Sequence, residues 1–243
     1  MQKQVDKSHY EFGKYVHKRR WASMWHQLDE VIKLNPERVL EVGPGPGLFK
    51  ATAGVMGVHV EALDLDPELE PDHVAPADAM PFEDDAFDVV CAFQMLEHVP
   101  YEKSLAIFAE MARVARKGVV ISLPDAATRW PMALHIPRVG LKWVSIPKPR
   151  IRAREHQFDG EHHWEINKAG HPLAKVQEDF SNAAPVRLTR TYRVNENPYG
   201  NTDLFRRGSR PPGGFGIMAP GFLPEVMADV PAQLFRSRVF RQA

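Results

Sequence analysis

A short apolar strand pattern, RVLEV (38–42), runs directly into the pentapeptide Gly43-Pro44-Gly45-Pro46-Gly47 and then into a helical pattern at 48–56. Glycine tolerates positive φ and lets other groups lie against bare backbone, while proline fixes φ and carries no N–H. A strand, a glycine turn and a helix in succession form the opening unit of a parallel α/β sheet. The pattern continues as strands expected at 58–63, 87–93 and 118–123, with a weak one near 72–75. A helix expected at 101–116 carries its apolar stripe on Leu105, Phe108, Met111 and Ala112. These runs predict an α/β fold with a mostly parallel central sheet flanked by helices.

The glycine turn also limits the ligand. A dinucleotide site has the pattern G-x-G-x-x-G, and here Leu48 stands where its third glycine would be. Pyrophosphate is held largely by N–H groups at the start of the helix, and Pro44 and Pro46 offer none. No Lys-Ser/Thr pair follows the glycines, so a Walker-type phosphate loop is excluded. Acids recur at successive strand ends: Glu41 two residues before the turn, Asp64 closing VHVEALD, and Asp78 in ADAMPFEDDAFD. A carboxylate at Asp64 is placed to accept two ribose hydroxyls, and the acids together suit a ligand carrying positive charge and no phosphate.

EVGPGPG, LDLDP, ADAMPFEDDAFDVV and FQMLEHV, in this order, resemble the class I S-adenosylmethionine-dependent methyltransferases of the type 11 kind, a group that includes enzymes similar to the quinone-biosynthesis C-methyltransferases. The resemblance covers about 37–124, and more faintly FDGEHHWEI (158–166) and TYRVNENPY (191–199). It implies a Rossmann-like class I methyltransferase fold with a cap insertion after the fifth strand, and S-adenosylmethionine as cofactor. It implies that Glu41 approaches the methionine amino group and that Gly43, Gly45 and Gly47 admit the methionine and ribose. Asp64 would take the ribose hydroxyls, Leu65 pack on the adenine, Asp78 and the Ala79 backbone read the adenine edge, and Gln94 sit near the methyl-donor end. His98 matches a position common in the group.

The activity expected is methyl transfer to a small molecule whose identity the sequence does not give. A cofactor-binding protein without turnover, acting in regulation or assembly, is the alternative. His98, His162 and His163 are the catalytic candidates, with no assigned base. His162 and Glu165 are three residues apart, as on one face of a turn, but no second cluster completes a ligand set and no metal is expected.

Flanking segments divide the chain into a helical part at 1–36, a methyltransferase domain at 37–206 with its cap at about 125–165, and a tail at 207–243. Trp21, Met24, Trp25, Leu28, Val31 and Ile32 are expected to share one helical face packed on the domain. Residues 126–154 contain seven basic residues and no acid, interleaved with Trp130, Leu134, Ile136, Leu141, Trp143 and Ile146. This reads as a loop-rich cap covering the acceptor, with contact to an anionic membrane surface as the lesser reading. A helix at 170–182 and a strand at 186–194 return to sheet pattern, NTDLFRR (201–207) is a poor second arm for a closing hairpin, and the tail, with five prolines and five glycines, reads as loosely ordered. Thirty-one basic and 31 acidic side chains cancel, so net charge gives no reason to expect nucleic acid. One cysteine, Cys91, and no apolar leader or span imply a cytoplasmic protein.

Overall fold

The computed structural model describes residues 15–127, 129–137, 140–149, 155–158, 160–194, 200–207 and 216–217. After the helix α1 (Lys18–Ile32), strands β1 (Arg38–Val42), β2 (His59–Asp64), β3 (His73–Val74), β4 (Phe87–Phe93) and β5 (Ala115–Pro124) alternate with α2 (Leu48–Val55) and α3 (Tyr101–Val114). A hairpin of β6 (Arg129–Ile136) and β7 (Gly140–Pro147) follows, then α4 (Leu173–Ala183), β8 (Val186–Arg193), β9 (Gly200–Arg207) and β10 (Gly216–Ile217). The main sheet has the order β10-β8-β9-β5-β4-β1-β2-β3. From β3 to β5 all neighbours are parallel. The chain passes outward from β1 to β2 and β3, then returns to place β4 on the other side of β1. That reversal opens a crevice at the carboxyl ends of β1 and β4.

Alternation along the central strands sorts the core into two layers. Val39, Val89, Cys91 and Val120 face α1 and α2 with Phe49 and Ala53. Leu40, Val90, Ala92, Val119 and Ile121 face α3 and α4 with Ile107, Phe108, Met111 and Phe180. Cys91 is buried and unpaired in a disulfide, as its apolar run implies.

Three expectations change. The six apolar residues of α1 do not share one face: Met24, Leu28 and Val31 are buried, while Trp21, Trp25 and Ile32 are exposed. The buried face instead includes Ser23, Gln27 and Glu30. It tolerates them because Gln27 Nε2 donates to Ser122 Oγ at 3.0 Å and Glu30 pairs with Arg190 at 2.7 Å. The basic segment after β5 is a regular antiparallel hairpin, with Trp130 opposite Ile146 and both exposed. Residues 201–207 form a full strand, paired antiparallel with β5 on one edge and β8 on the other. Main-chain ladders on both edges specify such a strand, whereas the sequence test looked for side-chain alternation. Of the tail, only Gly216–Ile217 is described, paired parallel with β8; the rest of the expected loose tail lies outside the described residues. No helix among the described residues is long and apolar enough to cross a membrane.

The amino ends of the central strands are tied by Asp88, which is buried. It accepts from the Glu37 N–H at 2.6 Å and from Arg116 Nε at 2.9 Å, and lies 3.4 Å from Lys117 Nζ. These contacts outweigh burial and hold its carboxyl at about 2, below the ordinary value of 3.8. A depressed acid stabilises the fold above its unfolded value, and that contribution is lost as pH falls through the folded one. Asp88→Asn is therefore expected to lower the melting temperature at pH 7. The gap from wild type should narrow as pH falls below about 4, as thermal melts across that range would show.

Candidate functional site

Two ends of the crevice are fixed by backbone geometry. Gly43 leaves β1 with φ of 70°, and its N–H donates to Leu63 O at 2.9 Å. A β-carbon on Gly43 would stand 2.5 Å from Met95 Cγ. Gly45 and Gly47 also have positive φ, and Gly47 caps α2. On the opposite side, Gln94 turns out of β4 with φ of 55°, held by its N–H to Ser122 O at 2.9 Å. The close approach of 43 to 95 brings the glycine turn and the turn after β4 into one site.

Its polar groups are buried with unmet capacity. Glu41 is 4% exposed and its Oε2 has no hydrogen-bond partner. Burial pushes its carboxyl up to about 8, against the opposing pull of the Lys50 N–H and ammonium. Gln94 Nε2 is likewise buried without a partner. Orphaned groups of this kind cost about 1–3 kcal/mol each unless something binds them. Asp64 stands at the end of β2, where it accepts from the Asp66 N–H at 2.9 Å, and burial raises its carboxyl. Leu65 beside it is 37% exposed. Asp78 pairs with Lys103 at 2.9 Å and is held below its usual range by that contact. Of the Ala79 backbone, expected to read the adenine edge, the N–H donates to Pro76 O at 3.2 Å.

Beyond Gln94 lies a second group of titratable side chains. Glu97 is fully buried, neither carboxylate oxygen has a partner, and burial pushes it up to about 7. Residues 160–166 pack on this turn: the His163 N–H donates to Glu97 O at 2.8 Å and Trp164 Nε1 to Leu96 O at 3.1 Å. His98 Nδ1 lies 2.9 Å from Glu161 O, and the His98 and His162 rings stand edge to face at 5.1 Å. His162 Nδ1 lies 3.1 Å from Glu165 Oε1. Glu97, His98 and His162 bring ligand-type atoms within 4.8 Å of one another, a spacing at which they could bind one cation.

Of the three histidine candidates the fold thus unites His98 and His162. His163 is exposed with its ring 4.6 Å from that of Phe158. Sequence reading missed Glu97, which stands in an apolar run, and missed Tyr15 and Arg20. Arg20 lies 3.7 Å over the Tyr15 ring, and the Tyr15 phenol feels both Glu41 and Glu97. The chain before α1 therefore reaches the site.

Comparison with known proteins agrees with this geometry. The profile of a methyltransferase domain matches residues 12–166. The ubiquinone biosynthesis O-methyltransferase of Xanthomonas oryzae pv. oryzae is 30% identical over 148 residues, which cover 55% of this chain and 57% of that protein. The chain thus matches little more than half the length of that relative. The structure of 1,6-didemethyltoxoflavin-N1-methyltransferase from Burkholderia thailandensis, with bound S-adenosylhomocysteine, superposes with a TM-score of 0.53 at 15% identity, over 79% of this chain and 78% of that one. Magnesium protoporphyrin IX methyltransferase from Synechocystis PCC 6803, with bound S-adenosylmethionine, gives 0.51 at 14% identity over 84% and 90%. The turn of glycines, the reversal between β1 and β4 and the match across 12–166 agree: the chain belongs to the methyltransferase domain family, with the Rossmann-like fold of its S-adenosylmethionine-dependent members.

Proposed function

We propose that this protein methylates a hydroxyl group of a small aromatic acceptor, using S-adenosylmethionine. The observation that carries the reading is the pair of buried orphan groups, Glu41 Oε2 and Gln94 Nε2, at the two ends of a crevice whose glycine turn admits close approach. The donor set suits this cofactor: a carboxylate for an ammonium at one end, an amide donor at the other, and a turn whose Pro44 and Pro46 carry no N–H for a phosphate. When bound, the cofactor supplies a methyl group activated by its sulfonium. Choice of a hydroxyl on an aromatic ring follows the ubiquinone biosynthesis O-methyltransferase relatives, since a quinone in its reduced form is a phenol.

The chain's residues bind, orient and exclude water. Glu41 receives the methionine ammonium, Asp64 the ribose hydroxyls, and Leu65 covers one adenine face. With the Ala79 N–H committed to Pro76 O, reading of the adenine edge falls to Asp78. Gln94 lies at the methyl end. Tyr15 and Arg20, between Glu41 and Glu97, close the site from the side of α1. Holding acceptor and donor in line accounts for most of the rate in such a transfer. The hairpin β6–β7 stands after β5 as the cover of the acceptor side. A binding protein without turnover would keep the cofactor contacts, so turnover decides between them.

Incubation with methyl-labelled S-adenosylmethionine and a panel of phenols and catechols should place label on oxygen. Label on nitrogen or carbon alone, or none despite tight S-adenosylhomocysteine binding, would overturn the reading. Asp64→Ala should weaken S-adenosylhomocysteine binding at least tenfold, about 1.4 kcal/mol, measured by calorimetry. Because Glu41 must give up its proton to pair with an ammonium, affinity should rise with pH by up to about tenfold per unit below about 8. The same titration on Glu41→Gln should be flat.

A further inference from the structure

We propose that the hairpin β6–β7 docks this protein on the surface of an anionic lipid bilayer, with Trp130 and Ile146 entering the headgroup layer and the bases of 126–154 meeting lipid phosphates. This surface is independent of which acceptor the site takes. Trp130 and Ile146 stand opposite each other in the antiparallel register and are 49% and 39% exposed. Direct cross-strand partners are neighbours on one side of a ribbon, so the two form a single apolar patch. Among the described residues the ribbon pairs with no other strand. A lone two-stranded ribbon is marginal in water and gains stability when its apolar side is covered. Its exposed pair shows that this side is not the one turned to the acceptor. The register pairs two, four and six residues along are Met132 with Val144, Leu134 with Lys142 and Ile136 with Gly140, an apolar sequence interrupted by one base.

Charge identifies what covers the patch. The whole chain balances 31 bases against 31 acids, yet 126–154 carries seven bases and no acid. Arg129, in register with Pro147, and Lys148, which is exposed, adjoin the Trp130–Ile146 pair in the chain. Arg150, Arg152 and Arg154 follow within six residues of Lys148. An anionic partner fits this segment, and a second copy of the chain does not, since it would set the same bases against each other. A nucleic acid offers phosphates but no apolar layer beside them for an isoleucine. A bilayer surface offers both. Tryptophan settles at the headgroup level, aliphatic side chains reach the acyl boundary, and lysine and arginine extend to the phosphates. Clustered bases next to apolar anchors are therefore the composition that an anionic leaflet attracts.

The test is sedimentation of the full chain with vesicles of equal parts phosphatidylglycerol and phosphatidylcholine, and with vesicles of phosphatidylcholine alone. The protein should sediment with the first and stay in solution with the second, and added salt should release it. Trp130→Ser combined with Ile146→Ser should lower vesicle affinity about tenfold or more. Lys148→Gln combined with Arg150→Gln should lower it roughly 25-fold, about fivefold per charge. Both variants should bind S-adenosylhomocysteine as the wild type does, which shows that they are folded and separates a failed docking surface from a failed cofactor site. Absence of sedimentation with the anionic vesicles, equal sedimentation with both kinds, or undiminished affinity in the Trp130→Ser, Ile146→Ser variant would each overturn the proposal. A dimer in solution that this variant abolishes would also overturn it, making the patch a contact between copies. Retention on RNA in place of vesicles would overturn it in favour of a nucleic-acid surface.

Discussion

Gly43 leaves β1 at a φ of 70°, and the point where its β-carbon would sit is 2.5 Å from Met95 Cγ. That contact couples the two loops on either side of the strand reversal. Any larger residue at 43 would meet both strain and the Met95 stem, and relief would have to come from moving the turn after β4. Gln94, held at φ of 55° by its bond to Ser122 O, and Glu97 are part of that same turn. The first and fourth strands therefore set the positions of Glu41, Gln94 and Glu97 together. The interaction is steric rather than attractive, which is why a glycine is required and no polar residue could substitute for it.

Around that contact the protein leaves three polar side chains underserved. Glu41, Gln94 and Glu97 are each buried with at least one unpartnered polar atom. By contrast, the buried Asp88, Gln27 and Asp125 at other points of the sheet all have partners. Partnered groups knit the fold. Unpartnered ones raise the free energy of the empty protein and make bound ligand the state that satisfies them. The raised carboxyls of Glu41 and Glu97 express the same fact in protons: at neutral pH each is near the point where a nearby positive charge decides its ionisation.

Legibility of the sequence followed the range of the interactions concerned. The glycine turn, the parallel strands from 38 to 123 and the acids Glu41, Asp64 and Asp78 were readable because each rests on local pattern. Strand β9 was misjudged because its register, Phe205 opposite Val119 on one side and Leu188 on the other, depends on two distant partners. The face of α1 was misread for a related reason: Glu30 looks solvent-facing until Arg190, 160 positions away, is placed against it. Glu97 was hidden by its neighbours. A single acid between Leu96 and Val99 reads as an interruption of an apolar run, and only the packing of 160–166 over it shows a buried carboxyl.

The packing of 160–166 explains why adjacent histidines point to different surroundings. Trp164 is 1% exposed, edge to face with Tyr101 at 4.8 Å, and anchored through Nε1 to Leu96 O. The His163 N–H adds a second anchor on Glu97 O, so the backbone on both sides of Leu96–Glu97 is pinned to the segment. With the main chain held at 163 and 164, the side chains of 162 and 163 must leave on different sides. His162 points back toward Glu97 and His98, and His163 outward to Phe158. A buried tryptophan thus does for the histidine segment what Met95 does for the glycine turn: it fixes a loop against the carboxyl end of β4 by packing, so that the Glu97 carboxyl is held there with neither oxygen hydrogen-bonded.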